Sequence, residues 1–525
     1  MEFYLLLLIL LSLFILHSTS SNLHQTPFTF CLQAKIGPLA SILYVPSDPS
    51  YIPILQEYIK NSRFNTTTTP KPKFIVAPHT TPHVQAIIVC AKANNLQIKI
   101  RSGGHDYEGV SYTSIEPNFI ILDMINFRNI SVDVGSRIAY AQAGAQIGEL
   151  YYSIWKASKV LGFPGGVCPT LGIGGHISGG GYGAMLRKFG LSVDNVVDAE
   201  LVDVDGRLLN RTSMGEDLFW AIRGGGGGSF GVILSYTVKL VDVPEIVTIF
   251  RIEKILEENA TDLVNHWQYV DPIIDNRLFI RLLVQPIIRK PYGKTIRASF
   301  VALFLGNAQE LLGVTNDEFP ELGLKKTDIR EMSWIESVLY WANFDNKTKP
   351  EILLNRHSDT VGFGKRKSDY FQTPVPKTGL DSIFKKMMSL GKVGFVWNPY
   401  GGVMSQIPAS ATPFPHRAGF LWKMQYSINW KDGGAESEKD YLNQIRSLYD
   451  FMAPYASNSP RSTFLNYRDL DIGINHNGAN SYAEGKVYGE KYFLGNFDRL
   501  VKIKTVVDPQ NFFRNEQSIP IFKSG

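Results

Sequence analysis

The sequence predicts an α+β fold: an N-terminal α+β domain, a middle domain built on an antiparallel sheet, and a C-terminal segment that returns to the first. Three observations carry this. Residues 73–101 read as a compact β-α-β unit. Past about residue 243 the glycine-rich loops thin out and long strands alternate with helix-like stretches. The final fifty residues end in "DPQNFFRNEQSIP", placed back against the first domain. At 525 residues the chain is long enough for two sizeable cores. The expected boundaries are 22–242, 243–469 and 470–525.

"KFIVAP" (73–78) reads as a strand. Thr81-Pro82 supplies an N-cap and a proline at the first helical position. Val84, Ile87, Ile88 and Ala91 then share one helical face. "LQIKIRS" gives a second strand and "NFIILDMI" (118–125) another. "RIAYAQAGA" leads into an amphipathic helix over 146–158. "VVDAELVDVDGRLLNRT" (196–212) reads as a hairpin with an Asp-Gly turn. Ser213 and Glu216 have capping-box spacing for the helix through "DLFWAI". "GGGGGSFGVILSYTVKLVDV" returns to strand. Further on, "LFIRLLVQPII", "RASFVALFLG" and "FLWKMQYSINW" are strands, and a helix is expected over 436–454. There is no repeat with a fixed period.

The chain is 44% hydrophobic and 19% charged, with net charge +5 and its Lys and Arg scattered. The densest basic run, 365–367, is short, so no nucleic-acid partner is expected. Residues 5–16, "LLLLILLSLFIL", followed by "HSTSS", have the form of a secretory signal peptide spanning 1–21, although Glu2 is its only charge. The run is too short to span a bilayer comfortably, and no later stretch is long and apolar enough. An exported monomer without a membrane span is expected, bound for the apoplast and cell wall or for the vacuole. Five sequons fit export: Asn65, Asn129, Asn210, Asn259 and Asn346.

Three cysteines are present, so in an oxidising compartment two pair and one is left over. Cys90 lies in a predicted helix and Cys31 near the mature N-terminus, which a tie would hold. Cys31–Cys90 is the expected disulfide, leaving Cys168 among glycines.

Residues 226–231 match G-x-G-x-x-G, but a helix precedes them and a β-branched strand follows, the reverse of the dinucleotide fingerprint. They are read as a tight turn or a close approach of backbone to a ligand. Residues 165–183 hold nine glycines in nineteen positions. Backbone N–H groups unshielded by Cβ make a good anion cradle, and a pyrophosphate is a natural guest. His105, His176 and Cys168 lack C-x-x-C or H-x-x-x-H spacing, so no metal is expected. No G-x-S-x-G elbow supports a serine hydrolase.

Together, "RSGGHDYEG", "GGVCPTLGIGGHISGGGYG", "RGGGGGSFGVI", "NYRDLD" and "YGEKYF…NFDRLVKIKTVVDPQNFFRNEQSIP" resemble the signatures of the berberine bridge enzyme-like family of plant flavoproteins, over roughly residues 28–521. The resemblance implies a fold of the vanillyl-alcohol oxidase type, with a two-part FAD-binding domain (PCMH type) and the antiparallel-sheet substrate domain inserted. It implies bicovalent FAD, bonded through a His105 ring nitrogen to the flavin 8α-methyl and through the Cys168 sulfur to C6. It places Arg101, Ser102, Gly103, Gly104, Asp106 and Tyr107 at the cofactor on the first motif. On the second it places Thr170, Leu171, Gly172, Gly174, Gly175, His176, Gly179, Gly180, Gly181 and Tyr182. Val232 and Asn511 complete the set. Two tethers fix the ring, leave room for large substrates and raise the flavin potential.

The implied reaction is hydride transfer from an alcohol, a monolignol-like allylic alcohol or a saccharide, coupled to loss of a proton to a positioned base. The resemblance nominates Tyr482 as that base, Lys423 as the cation lowering its pKa, and Gln425 as a hydrogen-bonding partner of the substrate hydroxyl. Lys423 and Gln425 are two apart in "LWKMQY", hence on one strand face. Alkaloid-cyclising members carry a glutamate base on this strand, which Gln425 replaces. Phe189 stands where alcohol-oxidising members often have tyrosine, and Ser192-Val193 where they have Ala-Ala. Leu171, three residues after Cys168, is expected to gate oxygen at flavin C4a and to favour another acceptor such as a quinone. Two further readings stay open: an alkaloid or other specialised-metabolite oxidase, and a secreted peroxide-generating flavoprotein of low selectivity.

Overall fold

A computed structural model describes residues 26–357, 361–431, 433–478 and 480–522. The expected signal segment, 1–21, lies outside them.

The first sheet holds β1 (Leu43–Tyr44), β2 (Phe74–Val76), β3 (Gln97–Arg101) and β4 (Phe119–Asp123) in the order β1-β2-β4-β3. β4 runs parallel to both neighbours, with Ile75 opposite Ile121 and Ile98 opposite Ile120. The crossover helix Thr81–Ala93 starts one residue earlier than expected. Its N-cap is Thr80, whose side chain accepts from the His83 N–H. A Cys31–Cys90 disulfide joins this helix to Pro27–Ile36 with Cα atoms 5.8 Å apart. Closing a loop of 59 residues contributes about 4 kcal/mol by restricting the unfolded chain.

The second sheet, β5 (Ile130–Asp133), β6 (Ile138–Gln142), β8 (Val196–Val202), β9 (Leu208–Leu209) and β10 (Val232–Lys239), has the order β5-β6-β10-β8-β9. Beside it β7 (Leu161–Gly162) pairs with β11 (Val241–Asp242). The Asp205-Gly206 turn joins β8 to β9 with Gly206 at φ 78°. The helix Arg211–Ile222 that follows is capped by Asn210, not Ser213. Asn210 accepts from the Ser213 N–H at 3.0 Å, and Gly215 at φ 67° breaks the helix before Glu216 can complete a box.

The third sheet is antiparallel and seven-stranded: β12 (Val247–Ile255), β13 (Leu278–Arg289), β14 (Gly293–Phe304), β15 (Ile329–Met332), β16 (Phe363–Phe371), β17 (Gly394–Pro399) and β18 (Trp422–Trp430), ordered β15-β12-β14-β13-β17-β18-β16. Strand alternation gives it two unlike faces. Leu282, Phe300, Trp397, Trp422, Met424 and Tyr426 pack under the helices Ala260–Val270, Lys377–Leu390 and Ala435–Phe451. The intervening positions, Arg281, Lys423 and Gln425 among them, turn the other way, towards the N-terminal part.

The C-terminal segment returns to the first unit as expected. Tyr488, Tyr492, Phe497, Leu500 and Val501 join the core of the second sheet, and Phe512 and Phe513 that of the first. Lys504, fully buried, fastens the return by donating to the carbonyls of Ser229 and Phe513 at 2.6 and 2.7 Å and to Asp508 at 2.5 Å. Among the described residues no helix is long and apolar enough to cross a membrane.

Candidate active site

β3 ends at Arg101, and the loop that follows is fixed from below. The Arg101 guanidinium is buried, bonded to Asp123 at 2.5 Å and to the carbonyls of Leu55 and Ile54 at 2.8 and 2.9 Å. It anchors the loop and contributes nothing to the cavity above, contrary to the cofactor-binding expectation. Ser102 Oγ donates to the Ala143 carbonyl at 2.5 Å. A Cβ on Gly103 would lie 2.8 Å from the Thr170 carbonyl, so only glycine lets this loop meet the second motif. That approach brings His105 Nε2 to 2.8 Å from Thr170 Oγ1.

The second motif carries Cys168, exposed to the cavity, and then the helix Ile173–Ser178. Its glycine turn is pinned by the Gly166 N–H donating to His176 Nε2 at 3.1 Å and by Tyr151 Oη donating to the Gly166 carbonyl at 2.9 Å. Burial, then the neighbouring His105 and Lys423, lower the His176 pKa to about 4. His176 is therefore neutral and holds the turn as an acceptor. The third wall is Gly226–Gly228 with Gly231, a turn between helix and strand as expected.

These walls enclose one elongated cavity reaching from Ile98 and Met124 past His105 and Cys168 to Arg281, Phe464–Arg468 and Asn515. Its empty space is about 1600 Å³, part of it open to solvent. Of the expected cofactor residues, Ser102, Gly103, Gly104, His105, Asp106, Tyr107, Cys168, Leu171, Gly172, Gly174, Gly175, His176, Gly179 and Tyr182 line it. Others stand behind it. Thr170 reaches it only through His105. Gly180 and Gly181 shape the backbone turn that pairs with Ser192 and Val193. Val232 is fully buried core, opposite Val202. Asn511 sits at φ 51° in the C-terminal turn, while its neighbours Arg514 and Asn515 reach the wall.

The far end of the cavity is a cluster of phenols on a cation. The hydroxyls of Tyr182 and Tyr467 share a hydrogen bond. Lys423 Nζ stands 3.1 Å from the Tyr182 ring centre, 3.8 Å from Phe464 and 4.9 Å from Tyr467, and has no hydrogen-bond partner among the described residues. Gln425 Nε2 donates to Tyr107 Oη at 3.4 Å. The Arg281 guanidinium is fixed by Asn398 Oδ1 at 2.8 Å. Burial pushes the Tyr467 phenol well up and that of Tyr182 up, while Arg281 pulls both down. Burial and Arg281 push the Lys423 amine well down; the ring faces, which attract a cation, oppose that shift.

Tyr482 is not part of this cluster. It lies on the helix Ser481–Phe493, six residues before the buried Tyr488 and so about 120° around the helix from it. Its hydroxyl donates to Asp498 at 2.9 Å on the protein surface, and its ring packs on Phe522. The Asp498 hydrogen bond, then burial, raise its pKa. Lys423 sits instead on Tyr182 and Tyr467. Phe189 does not line the cavity either; the phenol that pairs with Tyr467 there is Tyr182. The sequence reading missed Tyr467, although "NYRDLD" was in view, and Arg281, a lone cation within the apolar run "LFIRLLV".

The cavity suits a dinucleotide with a flat ring. A Cβ on Gly175 would meet nothing within 4 Å, so the backbone there is open to a ligand. Arg468 Nη1 is buried at the wall without a hydrogen-bond partner. Two family models match the chain: an FAD binding domain over residues 72–212, and the berberine and berberine-like domain over 463–520. Berberine bridge enzyme-like 19 of Arabidopsis thaliana is 55% identical over 528 residues, covering 99% of this chain and 92% of that protein. The chain belongs to the berberine bridge enzyme-like family. As a member it is an FAD-dependent oxidoreductase. Among solved structures similar to this family member, Bermuda grass isoallergen BG60 superposes with a TM-score of 0.90 at 46% identity, over 94% of this chain and all of that one. Wild-type Phl p 4.0202, a glucose dehydrogenase and grass pollen allergen, does so with a TM-score of 0.91 at 42% identity, over 95% and 100%. An isoleucine-to-valine variant of Phl p 4 is a glucose oxidase.

Proposed function

We propose that this protein oxidises an alcohol, a saccharide hydroxyl ahead of an allylic alcohol of monolignol type, with FAD held through both His105 and Cys168. The observation that carries the reading is the Tyr182–Tyr467 hydrogen bond beside Lys423, in the same cavity as His105 and Cys168. Alcohol oxidation needs a base for the hydroxyl proton, and a positioned base contributes roughly 10²–10⁴-fold. Tyr467 is that base. Its ring lies 6.0 Å from Tyr107, which Gln425 holds, so Tyr107 and Gln425 orient the substrate hydroxyl towards it. Tyr182 shares the charge through the common hydrogen bond, and Arg281 favours the phenolate from the sheet. Bound FAD supplies the hydride acceptor.

The saccharide side is favoured by the glucose dehydrogenase activity of Phl p 4. In that protein one aliphatic side chain distinguishes a dehydrogenase from an oxidase. Here the aliphatic side chain beside Cys168 is Leu171, which packs over Gly166, and we read the acceptor as a quinone-type compound in place of oxygen. The disulfide and the exposure of all five sequon asparagines support export with glycans. The seven-stranded sheet runs from Val247 to Trp430, inside the proposed substrate domain 243–469.

The test is anaerobic flavin reduction with glucose, cellobiose, coniferyl alcohol and a tetrahydroisoquinoline. Bleaching by the alcohols and not by the amine is expected. Bleaching by the amine alone overturns the reading.

A further inference from the structure

Two loops that meet at the cavity also meet strand β16 in a buried ionic cluster beside it. Lys365 and Lys367 lie on β16, on one strand face. Lys365 Nζ stands 2.6 Å from Glu108 and 2.7 Å from Asp469. Lys367 Nζ stands 2.5 Å from Asp469 and 3.0 Å from Asp471. The side chains of both lysines, Glu108 and Asp469 are 4% exposed or less. Arg446 closes the cluster on Asp471 at 2.8 Å.

The acids come from the two loops on which the chemistry depends. Glu108 is three residues past His105, and Asp469 two past Tyr467. Three further bonds tie the same pieces. Asn61 Nδ2 donates to the carbonyls of Tyr107 at 2.8 Å and Gly364 at 3.1 Å. Arg468 Nε donates to Asp106 at 3.2 Å. Cys168 is carried by a different segment, secured through His176 to Gly166 and through Ser192 Oγ to the Pro164 carbonyl at 2.9 Å.

Burying ions costs several kcal/mol each, and apolar residues of similar volume are often as stable. Stability is thus a poor reason for this cluster. Ion pairs are directional where apolar contacts are not, and a misplacement of about 1 Å at a reacting centre costs on the order of 10²-fold.

We infer that Lys365 and Lys367 are positioning residues: Lys365 sets the His105 loop and the Tyr467 loop against the substrate sheet, and Lys367 sets the Tyr467 loop alone. This rests on the reading of His105 as a flavin tether and Tyr467 as the base. The two lysines then have separable effects. Losing Lys365 releases the loop of one tether and leaves the other. Losing Lys367 leaves both tethers and displaces the base.

The experiment compares holoenzyme carrying Lys365→Met, Lys367→Met, Lys367→Arg and Glu108→Gln with the wild type. Peptide mass spectrometry reads the flavin-linked fraction at His105 and at Cys168 separately, and anaerobic stopped flow reads the reduction rate. Lys365→Met is expected to lower the His105-linked fraction about tenfold with Cys168 fully linked. Lys367→Met is expected to keep both links and slow reduction roughly 10–10²-fold, with Lys367→Arg restoring most of it. If Lys365→Met yields no folded protein, Glu108→Gln decides, since it loosens the His105 loop while Lys365 keeps Asp469. An unchanged His105-linked fraction there overturns the inference. So does an equal fall at His105 and Cys168, or an equal loss of linkage in the two lysine variants. A wild type with no flavin on His105 overturns the tether reading, and this inference with it.

Discussion

The hydroxyls of Tyr182 and Tyr467 share one hydrogen bond although 285 residues of chain separate them. One phenol comes from the glycine-rich second motif and the other from the loop before the C-terminal segment. Neither is exposed by more than a tenth. On the proposed mechanism a proton leaving a substrate here would go to a pair, not to an isolated side chain.

Tyr467→Phe is therefore expected to retain the flavin and to slow its reduction by roughly 10²–10⁴-fold, the usual worth of a positioned base. Tyr482→Phe, which alters only a surface hydrogen bond, is expected to stay within about twofold of wild type. Stopped-flow reduction of the two variants, side by side, checks both. A large defect in the second with none in the first would restore Tyr482 as base.

Arg281 gives a pH signature. It pulls the phenols of Tyr182 and Tyr467 down against the effect of burial. Removing it as Arg281→Gln leaves burial unopposed, so the phenols titrate higher. The reduction rate rises as a phenol loses its proton, so the rising limb of the pH–rate profile moves to higher pH in the variant. The defect is deepest near neutrality and shrinks on the alkaline side. A uniform loss at every pH would show that Arg281 only binds substrate.

His105→Ala and Cys168→Ala are each expected to leave one covalent link. Wild-type protein precipitated in acid should keep its yellow colour in the pellet, and each single variant should too. Only the double variant should release free FAD. Release from the wild type refutes the double tether.

Leu171→Val is expected to speed reoxidation of the reduced enzyme by oxygen without changing its reduction by substrate, because interiors are packed closely enough for one methylene to close a path. Mixing reduced enzyme with air-saturated buffer measures this directly. Fast reoxidation of the wild type would show that Leu171 is no barrier.

Much of this site was legible in the sequence, and the reasons differ by element. Strand alternation alone puts Lys423 and Gln425 on one face, and the structure sets that face against Tyr182, Tyr467 and Tyr107, which line the cavity. The glycine motifs read as an approach of backbone to a ligand; at Gly103 the close neighbour is the backbone of Thr170 and Gly172. Tyr482 misled because a motif match gives no helical phase, and its phase points outwards. Tyr467 was harder to see. It lies in a three-residue turn, Leu465–Tyr467, where no periodicity marks which side chain faces in. Arg101, a motif arginine beside the loop, holds that loop from beneath through Asp123 and the carbonyls of Leu55 and Ile54. The cap at Thr80 differs from the expected residue by one position, the usual latitude of helix ends, while that at Asn210 lies three earlier because Gly215 breaks the helix.

The cavity wall draws on residues 102–107, 166–182, 226–233, 281 and 464–515. A ribosome must therefore release nearly the whole chain before the pocket exists, so FAD loads only after synthesis. A cofactor filling this wall would join a segment near residue 105 to one near residue 515 as a clasp would. Whatever binds only the folded form raises the temperature at which it unravels. The cofactor is then a fastening for the chain as well as a reagent, and a cell short of flavin would make this protein as an open, perishable shell.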